Sequence, residues 1–285
     1  MRKLKIAIQK SGRLHNDSLD LLKACGMSIN NGKDQLKVAV DNFPIELLYL
    51  RNSDIPQYIV DGVADIGIVG ENLLIEKKTQ VQISARLGFS KCKLCLAVPK
   101  EIEDYALSFF EGKKIATSYP NTLKNYLKQN NISAEVHTIS GSVEIAPNIG
   151  LADGICDIVS SGSTLFKNGL QEVETILKSE AVLIRSPKLS ADDNVILDRL
   201  LFRIQAVQRA KKSKYILMNV AQENIEAVSA ILPVLKSPTI LPLAKKGWCS
   251  LHSVIEENMF WEVIDQLRVA GAEDILIIPI DKMVV

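Results

Sequence analysis

The segment Ser160-Ser161-Gly162-Ser163-Thr164 has the residue types of an anion site. Glycine lets successive backbone N–H groups converge, hydroxyls add short donors, and a helix opening behind them favours negative charge. Asp153 and Asp157 stand just upstream. Next to a phosphate their carboxylates would be repelled unless they faced sugar hydroxyls or a magnesium ion. A phosphate with vicinal hydroxyls beside it describes a ribose phosphate. The plainer alternative is that Asp153 makes a turn and the serines cap a helix.

A second candidate loop differs in kind. Gln9-Lys10-Ser11-Gly12-Arg13 sets two cations about a Ser-Gly turn, which suits a polyphosphate that Arg13 could grip with two parallel hydrogen bonds. Gly70-Glu71-Asn72 offers groups for a nucleobase edge or a metal, and Thr117-Ser118-Tyr119-Pro120 and Arg51 complete the set. Each follows an apolar, strand-like run, and ligands of open parallel sheets gather at the C-terminal ends of strands. There is no Walker A sequence and no G-x-G-x-x-G, so a bound ATP would be held without a P-loop. His15, His137 and His252 are too dispersed for a triad or a metal cluster, and Cys92 and Cys95 alternate with leucines as buried strand thiols would.

The elements that must position these residues follow from an internal repeat. Asp61-Gly62-Val63-Ala64-Asp65-Ile66 recurs as Asp153-Gly154-Ile155-Cys156-Asp157-Ile158. Each copy reads as a helix end, an Asp-Gly turn, a short apolar strand and a loop opening a further helix. Upstream, Lys5-Ile6-Ala7 and Lys114-Ile115-Ala116 each begin a strand, loop and helix, with 36–40 and 46–50 as further strands. Alternating strands and helices argue for parallel α/β sheets. The apolar stretches 92–98 and 181–184 mark where the chain enters and leaves a second lobe. The expected fold is α/β, a two-lobed core of type II periplasmic-binding-protein layout with a cleft between the lobes. Residues 1–92 and 181–211 form lobe one and 93–180 lobe two. Ser190 caps a helix whose first turn carries Asp192 and Asp193. After a Lys211-Lys212 linker, 212–285 reads βαββαβ, a ferredoxin-like module.

Composition sets the class. A chain of 285 residues, 47% hydrophobic and 24% charged, has the length of two domains and the balance of a soluble globular protein. A net charge of +1 with one short basic run at 209–214 gives no footprint for nucleic acid. No targeting segment and no membrane-length apolar run is apparent, and five scattered cysteines fit free thiols in a reducing cytoplasm.

The chain resembles ATP phosphoribosyltransferase in its long form, the first enzyme of histidine biosynthesis. The resemblance rests on residues 9–14, 61–72, 116–120, 150–165 and 238–243. It implies condensation of ATP with 5-phosphoribosyl 1-diphosphate to N1-(5-phosphoribosyl)-ATP and diphosphate, with Mg2+ required. It places phosphoribosyl diphosphate on Asp153, Asp157, Ser161, Gly162, Ser163 and Thr164, with Asp153 and Asp157 as the catalytic residues; relatives often have Thr and Ala at the positions of Ser161 and Ser163. Lys10, Ser11, Arg13, Arg51, Glu71 and Tyr119 would serve ATP and diphosphate. The last module would sense L-histidine, with Thr239 a candidate contact, in a homo-oligomer passing between dimer and hexamer without a separate regulatory subunit. A two-lobed solute-binding protein without turnover is the competing reading; an amino-acid-sensing regulator is a third, without any helix-turn-helix candidate.

Overall fold

The computed structural model describes residues 2–30, 35–103, 106–159, 163–232 and 237–284. The chain runs β1 (Leu4–Gln9), α1 (Arg13–Ala24), β2 (Lys37–Ala39), β3 (Ile45–Leu50), α2 (Ile55–Val60), β4 (Ile66–Gly70), α3 (Glu71–Lys77) and β5 (Gln82–Arg86). It continues with β6 (Cys92–Pro99), β7 (Lys114–Thr117), α4 (Pro120–Gln129), β8 (Glu135–Thr138), β9 (Gly154–Val159), α5 (Ser163–Lys167), β10 (Leu170–Ser179), β11 (Ala181–Arg185) and α6 (Ala191–Lys212). The C-terminal part holds β12 (Ser213–Ala221), α7 (Ile225–Ile231), β13 (Thr239–Pro242), β14 (Trp248–Glu256), α8 (Glu257–Val269) and β15 (Ala272–Pro279).

Two compact units result, one of Met1–Lys23 with Met27–Leu197, the other of Ala24–Gly26 with Asp198–Val285. The first contains two sheets, ordered β2-β3-β1-β4-β11-β5 and β10-β6-β9-β7-β8. Each is built round three parallel strands, β3-β1-β4 and β8-β7-β9. Each trio is flanked by an antiparallel strand, β11 on β4 and β6 on β9. These parallel strands are buried on both faces, as their near-continuous apolar sequences require: Leu4, Ile6, Ala7 and Ile8 of β1 have no exposed surface. Ser190 caps α6 as expected, its hydroxyl accepting the Asp193 N–H at 3.1 Å and donating to the Asp193 carboxylate at 2.6 Å.

The C-terminal unit holds a four-stranded sheet in the order β13-β14-β12-β15, with all neighbours antiparallel. In strand order of the βαββαβ unit this is 2-3-1-4, the ferredoxin-like arrangement. Ile216, Met218, Val220, Leu251 and Ile255 of the sheet pack on Val228 of α7 and Val263 and Leu267 of α8.

Three details depart from the sequence reading. Lys211-Lys212 is not a linker: α6 runs to Lys212 and β12 starts at Ser213. Of the basic run, the part to 212 is the helix end that the sequence implies, where cations suit the negative pole of the dipole, and Lys214 already lies in β12. The ten-residue β10 is absent from the reading because bulges at 172/174 and 175/177 break the two-residue alternation that betrays a strand. Third, the two Asp-Gly copies are not equivalent. Asp61-Gly62 forms the turn after α2, with Gly62 at φ +72°. Gly154 instead lies inside β9, where an added Cβ would come within 2.7 Å of Phe110 Cε1.

Candidate functional site

The loops singled out in the sequence all leave the C-terminal ends of parallel strands. Lys10 to Gly12 follows β1, Arg51 follows β3, Glu71 opens α3 after β4, Tyr119 precedes α4 after β7, and 160–162 follows β9. Lys10, Ser11, Arg13 and Arg51 have exposed side chains. The Lys10 N–H donates to the Leu50 carbonyl at 2.8 Å, which pins the first loop beside Arg51. Ser161 and Gly162 fall outside the described residues, and Ser163 and Thr164 open α5.

Asp153 and Asp157 are separated along β9, by about 13 Å at ~3.3 Å per residue. Asp153 precedes the strand, at the end away from the 160–162 loop. Its carboxylate accepts the Lys114 N–H at 2.8 Å while its own N–H donates to the Lys114 carbonyl at 2.9 Å. Asp65 makes the same pair of contacts with Lys5 at the foot of β4, at 2.8 and 3.0 Å. The structural counterpart of Asp153 is therefore Asp65, not Asp61, and the sequence repeat is four residues out of step with the structural one. This local role predicts a modest phenotype. Asp153→Ala should cost about 1 kcal/mol of stability, the usual worth of one such hydrogen bond, with kcat/KM within a few-fold of wild type. Thermal melts and steady-state kinetics check it.

Asp157 lies near the other end of β9. Burial is the largest influence on its carboxyl and pushes it up to about 6; Glu144 adds to the rise, and a hydrogen bond from the Ile158 backbone opposes it. Tyr119 follows β7, which pairs with β9 through Thr117 and Cys156. Burial, then the Asp157 charge, pushes the phenol up to about 12. The Tyr119 hydroxyl accepts from Asn72 Nδ2 at 3.1 Å, which joins the first turn of α3 to the residue before α4. Asn72 is itself buried, and its side-chain oxygen accepts from Ser179 Oγ at 2.9 Å. Its amide is thus committed to the protein and not free for a nucleobase edge.

Ser179, the partner of Asn72, also lines a cleft of about 380 Å³ with Glu71, Arg86, Lys91, Cys92, Lys93, Val159, Lys178 and Glu180. Val159, the last residue of β9, lines it. Arg86 forks onto Glu71 at 2.5 and 2.6 Å and lies 3.6 Å from Glu180; Lys93 pairs with Glu172 at 2.6 Å. Arg13 reaches the same region through the Lys91 carbonyl, at 3.4 Å. The sequence reading missed Arg86, Lys91, Lys93 and Lys178. Their only signal was a sprinkling of cations at the segments where the chain passes between the two sheets. Cys92 and Cys95 behave as strand thiols, both raised by burial, Cys95 to about 11. Among the described residues no group of three or more His, Cys, Asp or Glu could hold a metal ion.

In the C-terminal unit Thr239 is exposed on β13 and faces His252 across the β13–β14 pair. The His252 ring is held by the Tyr215 hydroxyl at Nδ1, 2.7 Å, and the Ser250 hydroxyl at Nε2, 2.9 Å.

Two sheets of matched topology, crossed twice by the chain and meeting at a cation-lined cleft, define a bilobal core of periplasmic-binding-protein type joined to a ferredoxin-like module. A substrate-binding protein of an amino acid ABC transporter shares that fold, with a TM-score of 0.50 at 11% identity over 73% of this chain and 94% of its own. The model of the family described as ATP phosphoribosyltransferase matches residues 51–206, and that described as HisG, C-terminal domain matches residues 210–282. The ATP phosphoribosyltransferase of Cytophaga hutchinsonii is 56% identical over 281 residues, covering 99% of this chain and 98% of its own. A solved ATP phosphoribosyl transferase (HisG:HisZ) complex from Thermotoga maritima contains a chain with a TM-score of 0.60 and 30% identity, covering 71% of this chain and 98% of that one. The chain belongs to the ATP phosphoribosyltransferase family, in its long form.

Proposed function

We propose that this protein joins ATP to 5-phosphoribosyl 1-diphosphate, giving N1-(5-phosphoribosyl)-ATP and diphosphate, the first step of L-histidine biosynthesis. The observation that carries the reading is the presence of both family domains in one chain, alongside a relative of that activity matched almost end to end. The reaction forms a bond from ATP N1 to the ribose anomeric carbon and breaks that carbon's bond to the diphosphate. It needs no protein nucleophile, so catalysis rests on alignment and on stabilising the departing charge.

Residues are assigned on this basis. The ribose 5-phosphate sits in the 160–164 loop, with Ser161, Gly162, Ser163 and Thr164 as its donors, and Asp157 faces the ribose hydroxyls. Asp153 supports the strand that carries Asp157. Lys10, Ser11, Arg13 and Arg51, with Glu71 and Tyr119, surround ATP and diphosphate, joined by the cleft cations Arg86, Lys91, Lys93 and Lys178. Magnesium favours hard oxygen ligands. Glu71 and Glu180 are engaged by Arg86, so the donor set fits an ion carried mainly on the diphosphate, where it would neutralise the leaving group. The catalytic lobes are assigned to 1–92 with 181–211 and to 93–180.

The module at 212–285 is assigned to feedback inhibition by histidine, with Thr239 at the inhibitor pocket of a homo-oligomer that passes between dimer and hexamer and needs no second regulatory subunit. The family match at 210–282 supports this. Among the described residues no helix is long and apolar enough to cross a membrane, and we place the enzyme in the cytoplasm. The test is purified protein with ATP, phosphoribosyl diphosphate and magnesium, with and without histidine. Phosphoribosyl-ATP should form, and millimolar histidine should suppress it several-fold. No product from folded protein would return the reading to a two-lobed binding protein, and product insensitive to histidine would remove the sensor.

A further inference from the structure

The first turn of α4 ends in an unusual place. Helix N-termini leave N–H groups without intrahelical partners, and a residue just before the helix ordinarily supplies the acceptor. Tyr119, in that position, makes no side-chain capping hydrogen bond. The acceptor comes from α3, on the other sheet's side of the cleft. Glu76 is buried, 8% exposed. Its Oε1 accepts the Asn121 N–H at 2.9 Å, and its Oε2 accepts the Thr122 N–H at 2.9 Å and the Thr122 hydroxyl at 2.8 Å. Asn121 Nδ2 returns a bond to the Glu76 carbonyl at 3.1 Å. A carboxylate withdrawn from water is tolerated when donors and a positive helix pole meet it, and both do here.

One turn earlier on the same face of α3 lies Asn72, i to i+4 from Glu76. It binds Ser179 of β10 through its N–H and its side-chain oxygen, and the Tyr119 hydroxyl through its side-chain nitrogen. A single face of α3 therefore holds residues 119, 121 and 122 of the second lobe together with the end of β10. Tyr119 follows β7 by two residues, and β7 pairs with β9 through Thr117 and Cys156, the residue before Asp157. The helix pole after β7, a position that could receive a substrate phosphate, is filled by the protein's own carboxylate.

We propose that Glu76 is a positioning residue for phosphoribosyl transfer: by capping α4 across the lobe boundary it fixes Tyr119, and the surroundings of Asp157, against lobe one. The proposal rests on the function proposed above. Wild-type turnover tests that function, and the ratio of variant to wild type tests Glu76. Glu76→Ala is expected to raise KM for phosphoribosyl diphosphate tenfold or more, because the two halves of the site are no longer held in register. The Asn121 and Thr122 amides should exchange hydrogen with solvent faster than their neighbours. Glu76→Gln keeps one of the two acceptor oxygens and should fall between. A purely structural role would lower Tm and leave KM alone, so folded Glu76→Ala with wild-type KM overturns the proposal whatever its Tm. If Glu76→Ala does not fold, Glu76→Gln decides by the same measure: a raised KM supports the assignment and an unchanged KM overturns it.

Discussion

Asp157→Asn is expected to lose at least ~100-fold in kcat/KM, the scale of one well-placed polar group in a transition state, and yet to melt higher than the wild type at pH 8. The second half follows from burial. The carboxyl moves from 3.8 to about 6 on folding, chiefly through desolvation. Below pH 4 it is neutral in both states and costs nothing. Between pH 4 and 6 the unfolded chain releases its proton first, so the folded state binds more protons and stability falls as pH rises. Above pH 6 the full penalty remains, about 3 kcal/mol for a shift of roughly two pH units. Asparagine fills the same space without the charge, so the variant should gain about 4–10 °C in Tm at pH 8 and almost nothing at pH 4. Melts at the two pH values check the linkage, and kinetics check the role. Full activity would remove Asp157 from the site, and an equal Tm at pH 8 would show that the carboxylate is solvated. A residue that destabilises the free protein while serving its substrate is expected at a catalytic centre.

The contrast between Asp157 and Asp153 shows how far this sequence can be read. Strand-end loops are legible because a parallel strand must be apolar through its length and then turn polar at once, as Ile6-Ala7-Ile8 gives way to Lys10 and Ser11. The Asp-Gly pair is ambiguous. At 61–62 glycine supplies a left-handed turn, whereas at 153–154 it makes room for Phe110 beneath a strand. Both uses leave the same dipeptide, and only the partner strand tells them apart. The cleft cations are illegible for a related reason. Arg86, Lys91, Lys93 and Lys178 come from strand ends at the crossings between sheets, where no local pattern brings them together. Glu76 in the same way looks like one more charged residue in Glu76-Lys77-Lys78, because its partners at 121 and 122 lie in the other lobe. The C-terminal module was easier because each of its strands and helices carries a clear apolar pattern of its own, even though β12 pairs with β14 and β15 rather than with its neighbour in sequence.

Arg86→Met should lower kcat/KM by about 10–100-fold while leaving Tm almost unchanged. The stability half follows from exposure: the Arg86 side chain is 56% exposed, and ion pairs at such sites add little to folding. The kinetic half follows from geometry. The guanidinium is planar and forked, and it aligns both oxygens of Glu71 while lying 3.6 Å from Glu180. Lysine is a single point charge and cannot reproduce the fork, so Arg86→Lys should recover little. The cause is separable by a double-mutant cycle with Glu71→Gln. If Arg86 acts by orienting Glu71, the double variant should be no worse than the more damaged single one. If Arg86 grips a substrate phosphate directly, the two losses should multiply, and KM for ATP or phosphoribosyl diphosphate should rise further with salt as the remaining cations are screened. Wild-type kinetics for Arg86→Met would mean that the cleft cations face solvent and that the polyphosphate rests on Lys10, Arg13 and Arg51 alone.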